Sequence, residues 1–322
     1  MKDSLSRTID YMRVSITDRC NLRCQYCMPN GLPWIEHSDI LRYEEFLEIC
    51  GGAAIVGIST IKVTGGEPLA RKDCVRFLGR LKELPGIERV TLTTNGLLLE
   101  PHVAALAAMK LDGVNISLDT LQREVYQRLT GTDGLAKVLE VLEKTVAAGL
   151  KVKINCVPIL GINDGEVAAI AALVAKIPVD VRFIELMPTA SSQAFTGLTG
   201  EAVLSRLLEE YPDLSPTSER RGFGPARYYA SESLIGRIGL IDAVSNHFCG
   251  QCNRIRLTSQ GFLKLCLYHE RGVDLRRLLR QGAGREELAA AIKEAILHKP
   301  ESHCFGQEDE GQGIKNMSRI GG

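Results

Sequence analysis

Apolar residues in the first part of the chain follow two alternating spacings, which predict strands connected by helices. Six short runs are rich in Val, Ile and Thr and are bounded by turn residues, so we predict strands at residues 12–17, 60–64, 89–94, 113–118, 151–158 and 180–186. Apolar positions recur at helix spacing between several of these runs, at 71–84, 100–109, 135–146 and 166–176. Strands that alternate with helices are typical of βαβ units and a parallel sheet.

The pattern changes after Pro188. A loop rich in Ser, Thr and Gly precedes a predicted helix at 201–210, and shorter elements follow: strands at 227–230, 236–240, 254–258 and 262–265, then helices at 274–280 and 285–298. We therefore expect two domains, residues 1–190 with the βα units and residues 191–322 as a smaller annex. Periodicity leaves open whether the six units form a partial barrel or a doubly wound sheet, but both folds bind ligands at the carboxyl ends of their strands.

Composition narrows the classes of protein that fit. The chain has 322 residues, of which 45% are hydrophobic and 24% are charged, as in an ordinary soluble globular protein. No apolar stretch reaches the length of a membrane-spanning helix. Its 39 basic and 39 acidic residues balance, which argues against a nucleic-acid binder. The first residues contain no apolar signal-peptide stretch, so we expect a cytoplasmic protein in which cysteines serve as ligands rather than disulfides.

Six of the ten cysteines fall into two sets with ligand-like spacing. Cys20, Cys24 and Cys27 form C-x3-C-x2-C directly after the first predicted strand, and the second set, C-x2-C-x13-C, consists of Cys249, Cys252 and Cys266. Three thiolates on a four-iron cube leave one iron open to a chelating ligand. Zinc remains an alternative, above all for the second set, although structural zinc prefers four protein ligands. For the remaining cysteines, Cys50, Cys74, Cys156 and Cys304, we expect burial as small apolar side chains.

Two motifs together resemble the radical S-adenosylmethionine (SAM) superfamily. Tyr26 is an aromatic residue directly before the third cysteine, and residues 64–68 (TGGEP) end the second strand. Within that superfamily the chain resembles the GTP 3',8-cyclase family of molybdenum cofactor biosynthesis over essentially its whole length. The segments that carry the resemblance are residues 11–15 (YMRVS), 93–96 (TTNG), 115–119 (NISLD), 151–155 (KVKIN), 182–187 (RFIELM), 248–256 (FCGQCNRIR) and the terminal Gly321-Gly322.

The resemblance implies a fold, cofactors and site residues. The implied fold is an α/β partial (β/α)6 TIM-like barrel with a small C-terminal annex that binds a cluster. Each cysteine set would hold one [4Fe-4S] cluster. SAM would contact Tyr26, Gly66, Ser117 and Met187, and the substrate GTP would contact Arg13, Lys62, Thr93, Lys153, Arg254, Ile255 and Arg256. No side chain is implied as acid or base, because the radical derived from SAM would abstract the ribose 3' hydrogen before the ribose carbon attacks C8 of guanine.

Basic residues inside the predicted strands support an anion site independently of the resemblance. Arg13, Lys62 and Lys153 interrupt strands that are otherwise apolar or β-branched, and Arg254 and Arg256 are spaced to share one strand face. An ordinary strand with one polar face could explain any one of them. The family often has arginine at the position of Lys62, so the charge is kept while a bidentate contact is lost.

The resemblance also implies partners: a homodimer, an electron donor of unknown identity, and the next pathway enzyme, cyclic pyranopterin monophosphate synthase. It further implies that the Gly321-Gly322 tail reaches into the active site. Two alternatives remain. One is another radical SAM enzyme with an auxiliary cluster, such as a peptide-modifying maturase, and the other is a zinc- or cluster-bearing binding or electron-transfer module.

Overall fold

The described residues of the computed structural model form twelve strands and ten α-helices, together with five short 3-10 helices. The structure describes residues 1–29, 31, 35–219, 221–303 and 305. The strands are β1 Tyr11–Ser15, β2 Thr60–Thr64, β3 Arg89–Thr94, β4 Gly113–Ser117, β5 Val152–Cys156, β6 Asp180–Ile184, β7 Ser215–Thr217, β8 Arg227–Ala230, β9 Ile238–Ile241, β10 Arg254–Leu257, β11 Phe262–Lys264 and β12 Gly272–Asp274. The helices are α1 Tyr43–Ile55, α2 Cys74–Lys82, α3 Val103–Ala108, α4 Arg123–Thr130, α5 Leu135–Ala147, α6 Val167–Ala171, α7 Leu173–Lys176, α8 Gly200–Glu210, α9 Leu275–Arg280 and α10 Arg285–Leu297.

The chain divides into two compact units that do not follow the predicted boundary. The first unit contains residues 1–21, 30–92 and 249–322, and the second contains residues 22–29 and 93–248. Residues 191–322 therefore contribute to both units. Within the described part of the chain, no helix combines the length and apolar character needed to cross a membrane.

The first unit is built on strands in the order β12-β11-β10-β1-β2-β3. Strands β10, β1, β2 and β3 are parallel, whereas β11 and β12 are antiparallel additions at the edge. Helix α1 packs closely on α10, because a Cβ on Gly52 would lie 3.0 Å from the Arg285 carbonyl oxygen. This helix was not predicted, because almost every residue from Glu45 to Ala53 is buried and no polar face remains to give helix spacing.

The second unit has strands in the order β4-β5-β6-β9-β8-β7. Strands β4, β5, β6 and β9 are parallel, and β8 and β7 pair antiparallel at the edge. Helix α5 buries the predicted apolar stripe, including Leu135, Val138 and Leu142. The predicted strand at 151–158 is shorter in the structure, because the Val157 N–H donates to the Asp119 carboxylate and not to a neighbouring strand.

The short strands after Pro188 continue both parallel sheets. Strand β9 pairs parallel with β6, and β10 pairs parallel with β1. Sequence patterns do not predict this pairing, because periodicity reports which face of a strand is buried and not which strand lies beside it. Of the other unpredicted elements, β7 and β12 are three-residue strands, and α4 is a mostly polar helix that ends at Gly131 with φ +74°.

Candidate active-site residues

The first cysteine set lies on the loop that follows β1. Cys20, Cys24 and Cys27 are not part of a disulfide among the described residues, and they are partly exposed. The backbone N–H groups of Cys27 and Met28 both donate to the Cys24 carbonyl, at 3.0 and 2.8 Å, so the last two cysteines share a tight turn. Three accessible thiols on one loop are a donor set that fits a four-iron cluster with one open iron.

The TGGEP turn after β2 packs against the residues that precede Cys20. Gly66 N–H donates to the Thr17 carbonyl and Glu67 N–H donates to the Arg19 carbonyl, both at 2.8 Å. A Cβ on Gly66 would lie 2.7 Å from the Asp18 carbonyl oxygen, so only glycine permits this approach. The Asp18 side chain is 6% exposed, and its Oδ1 accepts no hydrogen bond from the described residues. A bound ligand could therefore use this acceptor.

Tyr26 is anchored by Asp119, a residue that the sequence analysis did not assign. Its hydroxyl donates to Asp119 Oδ2 at 2.7 Å, while Asp119 Oδ1 accepts from Val157 N–H at 2.8 Å. The Asp119 carbonyl also accepts from Asn163 Nδ2 at 2.6 Å. Burial, together with the Asp119 carboxylate and the neighbouring thiols Cys24 and Cys27, raises the pKa of Tyr26 well above its ordinary value. This tyrosine is therefore a neutral donor.

The other residues assigned to SAM lie at strand ends, as predicted. Gly66 follows β2 by two residues, and Ser117 is the last residue of β4. Met187 comes three residues after β6, and its carbonyl accepts a hydrogen bond from Ser192 Oγ at 2.8 Å. Both Ser117 and Met187 are partly exposed.

The second cysteine set lies beside two basic residues. Cys249, Cys252 and Cys266 are free and partly exposed, and Cys252 N–H donates to the Cys249 carbonyl at 3.1 Å. Burial opposes ionisation of Cys252, but Arg254 and Lys299 outweigh it and lower the pKa of this thiol to about 7. Burial, with the other two thiols of the set, raises the pKa of Cys249. Cysteines beside cations are typical metal ligands, and three of them again fit a cluster with one open iron.

Among the residues that the structure describes, no group of three or more His, Cys, Asp or Glu side chains converges on the position of a single metal ion. This finding applies to zinc and to iron alike, so it favours neither metal.

Basic side chains form one row across the sheet of the first unit. Arg13 is the register partner of both Lys62 and Arg256, and Arg256 is also the partner of Lys264. Register partners on neighbouring strands project from the same face. Arg254 shares that face because it lies two residues before Arg256. We refer to Lys264, Arg256, Arg13 and Lys62 as the cation row.

Two members of the cation row are almost completely buried. Arg256 is 6% exposed, and burial together with Arg13 and Arg254 lowers its pKa well below the ordinary value. Lys264, which the sequence analysis missed, is 2% exposed and pairs with Glu270 at 2.7 Å. Like charges opposite one another destabilise a sheet unless an anion compensates them. Perturbed buried groups of this kind are typical of binding sites.

Two neighbours complete the description of the row. Thr91 is the register partner of Lys62, and its buried hydroxyl has no hydrogen-bond partner among the described residues. Ile255 is fully buried and alternates with Arg254 and Arg256, so its side chain lies on the opposite face.

The second unit holds the remaining residues assigned to the substrate. Lys153 donates to Tyr228 Oη at 3.0 Å and to the Arg221 carbonyl, and it pairs with Asp180 at 3.3 Å. Thr93 Oγ1 accepts from Asn115 Nδ2 at 3.3 Å. These contacts fix both side chains before any ligand binds.

Arg182 is a further basic strand residue in the second unit. It is 7% exposed and donates only to the side-chain oxygens of Asn115 and Asn155, at 2.6–2.9 Å. In the described part of the chain no carboxylate pairs with it. A buried guanidinium with neutral acceptors is available to an anion.

The cysteines outside the two sets behave as predicted where they are described. Cys50, Cys74 and Cys156 are at most 3% exposed, and burial raises the pKa of Cys50 and Cys74 to about 12. Their thiols are therefore protonated and apolar in character. Cys304 and the Gly321-Gly322 tail lie outside the described residues.

Family models place these features in a known class. The model of the Radical SAM superfamily matches residues 14–174, half of the chain, and the model described as Molybdenum Cofactor Synthesis C matches residues 179–305. The protein is thus a radical SAM protein by class.

Curated relatives define the family further. GTP 3',8-cyclases of Heliobacterium modesticaldum, Pelotomaculum thermopropionicum and Clostridium perfringens are 46%, 44% and 41% identical, each over the full length of both chains. The chain belongs to the GTP 3',8-cyclase family.

Solved structures confirm the predicted fold class. The crystal structure of Streptococcus suis SuiB bound to S-adenosylmethionine is similar with a TM-score of 0.65 at 15% identity, covering 97% of this chain and 77% of that one. HydG, a maturase of the [FeFe]-hydrogenase, is similar with a TM-score of 0.51 over 63% of this chain and 48% of that one. The fold is therefore the α/β partial barrel of radical SAM type.

Proposed function

We propose that this protein is a GTP 3',8-cyclase, which converts GTP to (8S)-3',8-cyclo-7,8-dihydroguanosine 5'-triphosphate in molybdenum cofactor biosynthesis. The observation that carries the proposal is the second cysteine set, followed on β10 by Arg254 and by Arg256, the buried arginine of the cation row. An iron–sulfur site beside buried cations suits a substrate with both a nitrogenous base and a polyphosphate. Full-length identity of 40–46% to eight GTP 3',8-cyclases supports it.

The two cysteine sets would each hold one [4Fe-4S] cluster, on Cys20, Cys24 and Cys27 and on Cys249, Cys252 and Cys266. With SAM bound, the first cluster would pass on one electron from the donor, which would cleave SAM to methionine and the 5'-deoxyadenosyl radical that abstracts the ribose 3' hydrogen. The protein's contribution is to bind, orient and shield the reactants. No side chain is assigned as acid or base.

For SAM, we assign contacts to Tyr26, Gly66, Ser117 and Met187. The lack of a side chain on Gly66 brings the TGGEP turn against residues 17–19, and Asp119 fixes the ring of Tyr26. Each of these four residues therefore lies on a turn or strand end whose backbone is already held. Binding then costs little ordering of the protein.

For GTP, we assign the triphosphate to Arg13, Lys62, Arg254 and Arg256, with the Ile255 backbone between the two arginines. Arginine forks bind phosphate oxygens in pairs, whereas Lys62 contributes a point charge. We also assign Thr93 and Lys153 to the substrate. Lys153 keeps Asp180 as its charge partner until the substrate competes for it.

Three further assignments rest on the family resemblance alone. We propose a homodimer, an electron donor whose identity is open, and transfer of the product to cyclic pyranopterin monophosphate synthase. The cytoplasmic location expected from the sequence is also part of the proposal. Residues 1–190 would carry the SAM chemistry and residues 191–322 the second cluster, a division that the bounds of the two family models support.

The test is an anaerobic assay of the reconstituted, reduced protein. SAM is added with each nucleoside triphosphate in turn, and 5'-deoxyadenosine and cyclised nucleotide are measured. GTP alone should stimulate both products. Deoxyadenosine that forms without a response to GTP would favour a different radical SAM activity, such as that of a peptide-modifying maturase. Zinc without inorganic sulfide would favour the binding module.

Two matched variants separate the roles of the cysteine sets. Cys20→Ser should abolish deoxyadenosine formation. Cys252→Ser should leave basal SAM cleavage and remove the response to GTP. Equal loss of SAM cleavage in both variants would contradict the assignment of the second set to the substrate.

A further inference from the structure

Arg7 makes an unusually complete set of contacts close to the second cysteine set. Its Nε donates to Asp3 at 2.6 Å, and its four terminal N–H groups have four backbone carbonyls as acceptors, those of Cys249, Lys299, Pro300 and Glu301, at 2.8–3.2 Å. Arginine has five N–H donors, and here all five are used. The Arg7 side chain is 5% exposed and that of Asp3 is fully buried.

Lys299 makes the complementary contacts. It is 4% exposed, and its ammonium group donates to the Arg254 carbonyl at 2.8 Å and to the Leu265 carbonyl. Leu265 directly precedes Cys266, and Arg254 comes two residues after Cys252. The backbone carbonyl of Lys299 is itself held by Arg7. The two basic side chains therefore form one connected unit, which we call the carbonyl clamp.

The clamp reaches the chain next to every member of the second cysteine set. Arg7 binds the carbonyl of Cys249 itself, and Lys299 binds the carbonyl directly before Cys266 and the carbonyl two residues after Cys252. These segments are far apart in sequence, because 242 residues separate Arg7 from Cys249 and 34 separate Leu265 from Lys299. Short-range backbone structure cannot fix three such segments relative to one another.

We propose that Arg7 and Lys299 are positioning residues for the second cluster, an inference that rests on the proposed cluster at Cys249, Cys252 and Cys266. They fix the backbone of the three cysteines so that the thiolates are placed before iron binds. Lys299 is in addition a cation close to Cys252 and Cys266, so it would also offset part of the negative charge of the bound cluster. Neither residue belongs to the motifs that carry the family resemblance.

The test uses full-length protein in which Cys20, Cys24 and Cys27 are replaced by Ala, so that only the second cluster can form. Arg7→Lys keeps the charge but offers three donors in place of five. Lys299→Met removes the ammonium group and keeps most of the apolar stem. The matched controls are Arg285→Lys, at an exposed ion pair with Glu48, and Lys293→Met, at an exposed position on α10. Iron and sulfide per chain, the rate of iron release to a chelator and the reduction potential are measured.

We expect Arg7→Lys and Lys299→Met to release iron at least about tenfold faster than the parent, while both controls release it at the parent rate. Lys299→Met should also lower the reduction potential, because a nearby cation favours the reduced cluster. The inference would be overturned if the variants kept the parent iron-release rate and reduction potential and only the thermal midpoint of the metal-free protein fell. Arg7 and Lys299 would then stabilise the fold without affecting the cluster.

Two further outcomes are separable. A parent protein that binds no iron on the second set would overturn the proposed cluster itself. If Arg7→Lys fails to fold, Asp3→Asn replaces it, because this change keeps the arginine but removes the buried carboxylate that orients Nε, so the guanidinium is held less firmly against the four carbonyls. Iron release from Asp3→Asn at the parent rate would then count against the inference.

Discussion

Replacing Gly66 by alanine perturbs the first cysteine loop through a single methyl group. The added Cβ would lie 2.7 Å from both the Asp18 carbonyl oxygen and the Arg19 carbonyl carbon. These distances are about 0.7 Å below the 3.4 Å at which ordinary contact begins. The obstructing atoms belong to the backbone, so no side chain can rotate away. The segment that leads into Cys20 must therefore move.

The size of the effect follows from that movement. Overpacking against backbone typically costs about 1–3 kcal/mol of folding free energy. For chains of about 150–250 residues each kcal/mol lowers the thermal midpoint by about 2–4 °C, and somewhat less for a longer chain. The functional loss should be larger, since misplacing a reacting group by about 1 Å can lower a rate about 100-fold. We expect deoxyadenosine formation to fall by about two orders of magnitude.

The assay compares this variant with Gly79→Ala. Gly79 lies inside α2, and a Cβ there meets nothing within 4 Å. Alanine should therefore stabilise that helix by about 0.5–1 kcal/mol and leave activity unchanged. Thermal midpoints, iron content and deoxyadenosine rates are measured for both variants. A Gly66→Ala protein with the parent midpoint and parent rate would refute the reasoning, because it would mean that the turn has room for a side chain.

Three further predictions follow from single contacts. Tyr26→Phe leaves the Asp119 carboxylate without its hydroxyl donor and should cost about 1–2 kcal/mol in thermal unfolding of the metal-free protein; an unchanged midpoint would contradict the anchoring role. Burial opposes ionisation of Glu45, but the hydrogen bond from Arg280 outweighs burial and lowers the pKa of this carboxyl below 4.5. The ionised carboxylate therefore stabilises the folded protein above pH 4.5, and this stabilisation is lost as the pH falls below that value. The difference in thermal midpoint between the parent and Glu45→Gln should therefore shrink as the pH falls below 4.5. A difference that does not change with pH would exclude the ion pair as the source of the stabilisation. Arg13→Gln should weaken GTP binding, measured by calorimetry, about 10–100-fold and leave SAM cleavage in the absence of GTP unchanged. A variant that binds GTP with the affinity of the parent would contradict the assignment of Arg13 to the GTP site.

Local patterns were sufficient for the parallel strands and for the residues at their ends. Strands Thr60–Thr64 and Arg89–Thr94 have the predicted bounds, because β-branched runs between turn residues are strong signals. The prediction that Arg254 and Arg256 share one face needs only the two-residue repeat of a strand. Both predictions concern a single element and its own sequence.

Features that depend on distant segments were not predictable in this way. Asp119 interacts with Tyr26 across 93 residues, and Arg7 reaches Cys249 across 242. Nothing in the local pattern around Asp119 or Arg7 indicates a partner. Lys264 was missed for a related reason, because the three-residue strand β11 is too short to show which positions point inward.

Register also changes the interpretation of the basic residues that were predicted. Taken singly, each could belong to the polar face of an ordinary strand, but pairing places Arg13 directly between Lys62 and Arg256. Neighbouring positions on one sheet face are close enough for several basic side chains to reach one polyanion, which the pattern of a single strand does not show. If the row binds the triphosphate as proposed, the bound triphosphate should raise the thermal midpoint of the protein in proportion to the logarithm of its concentration.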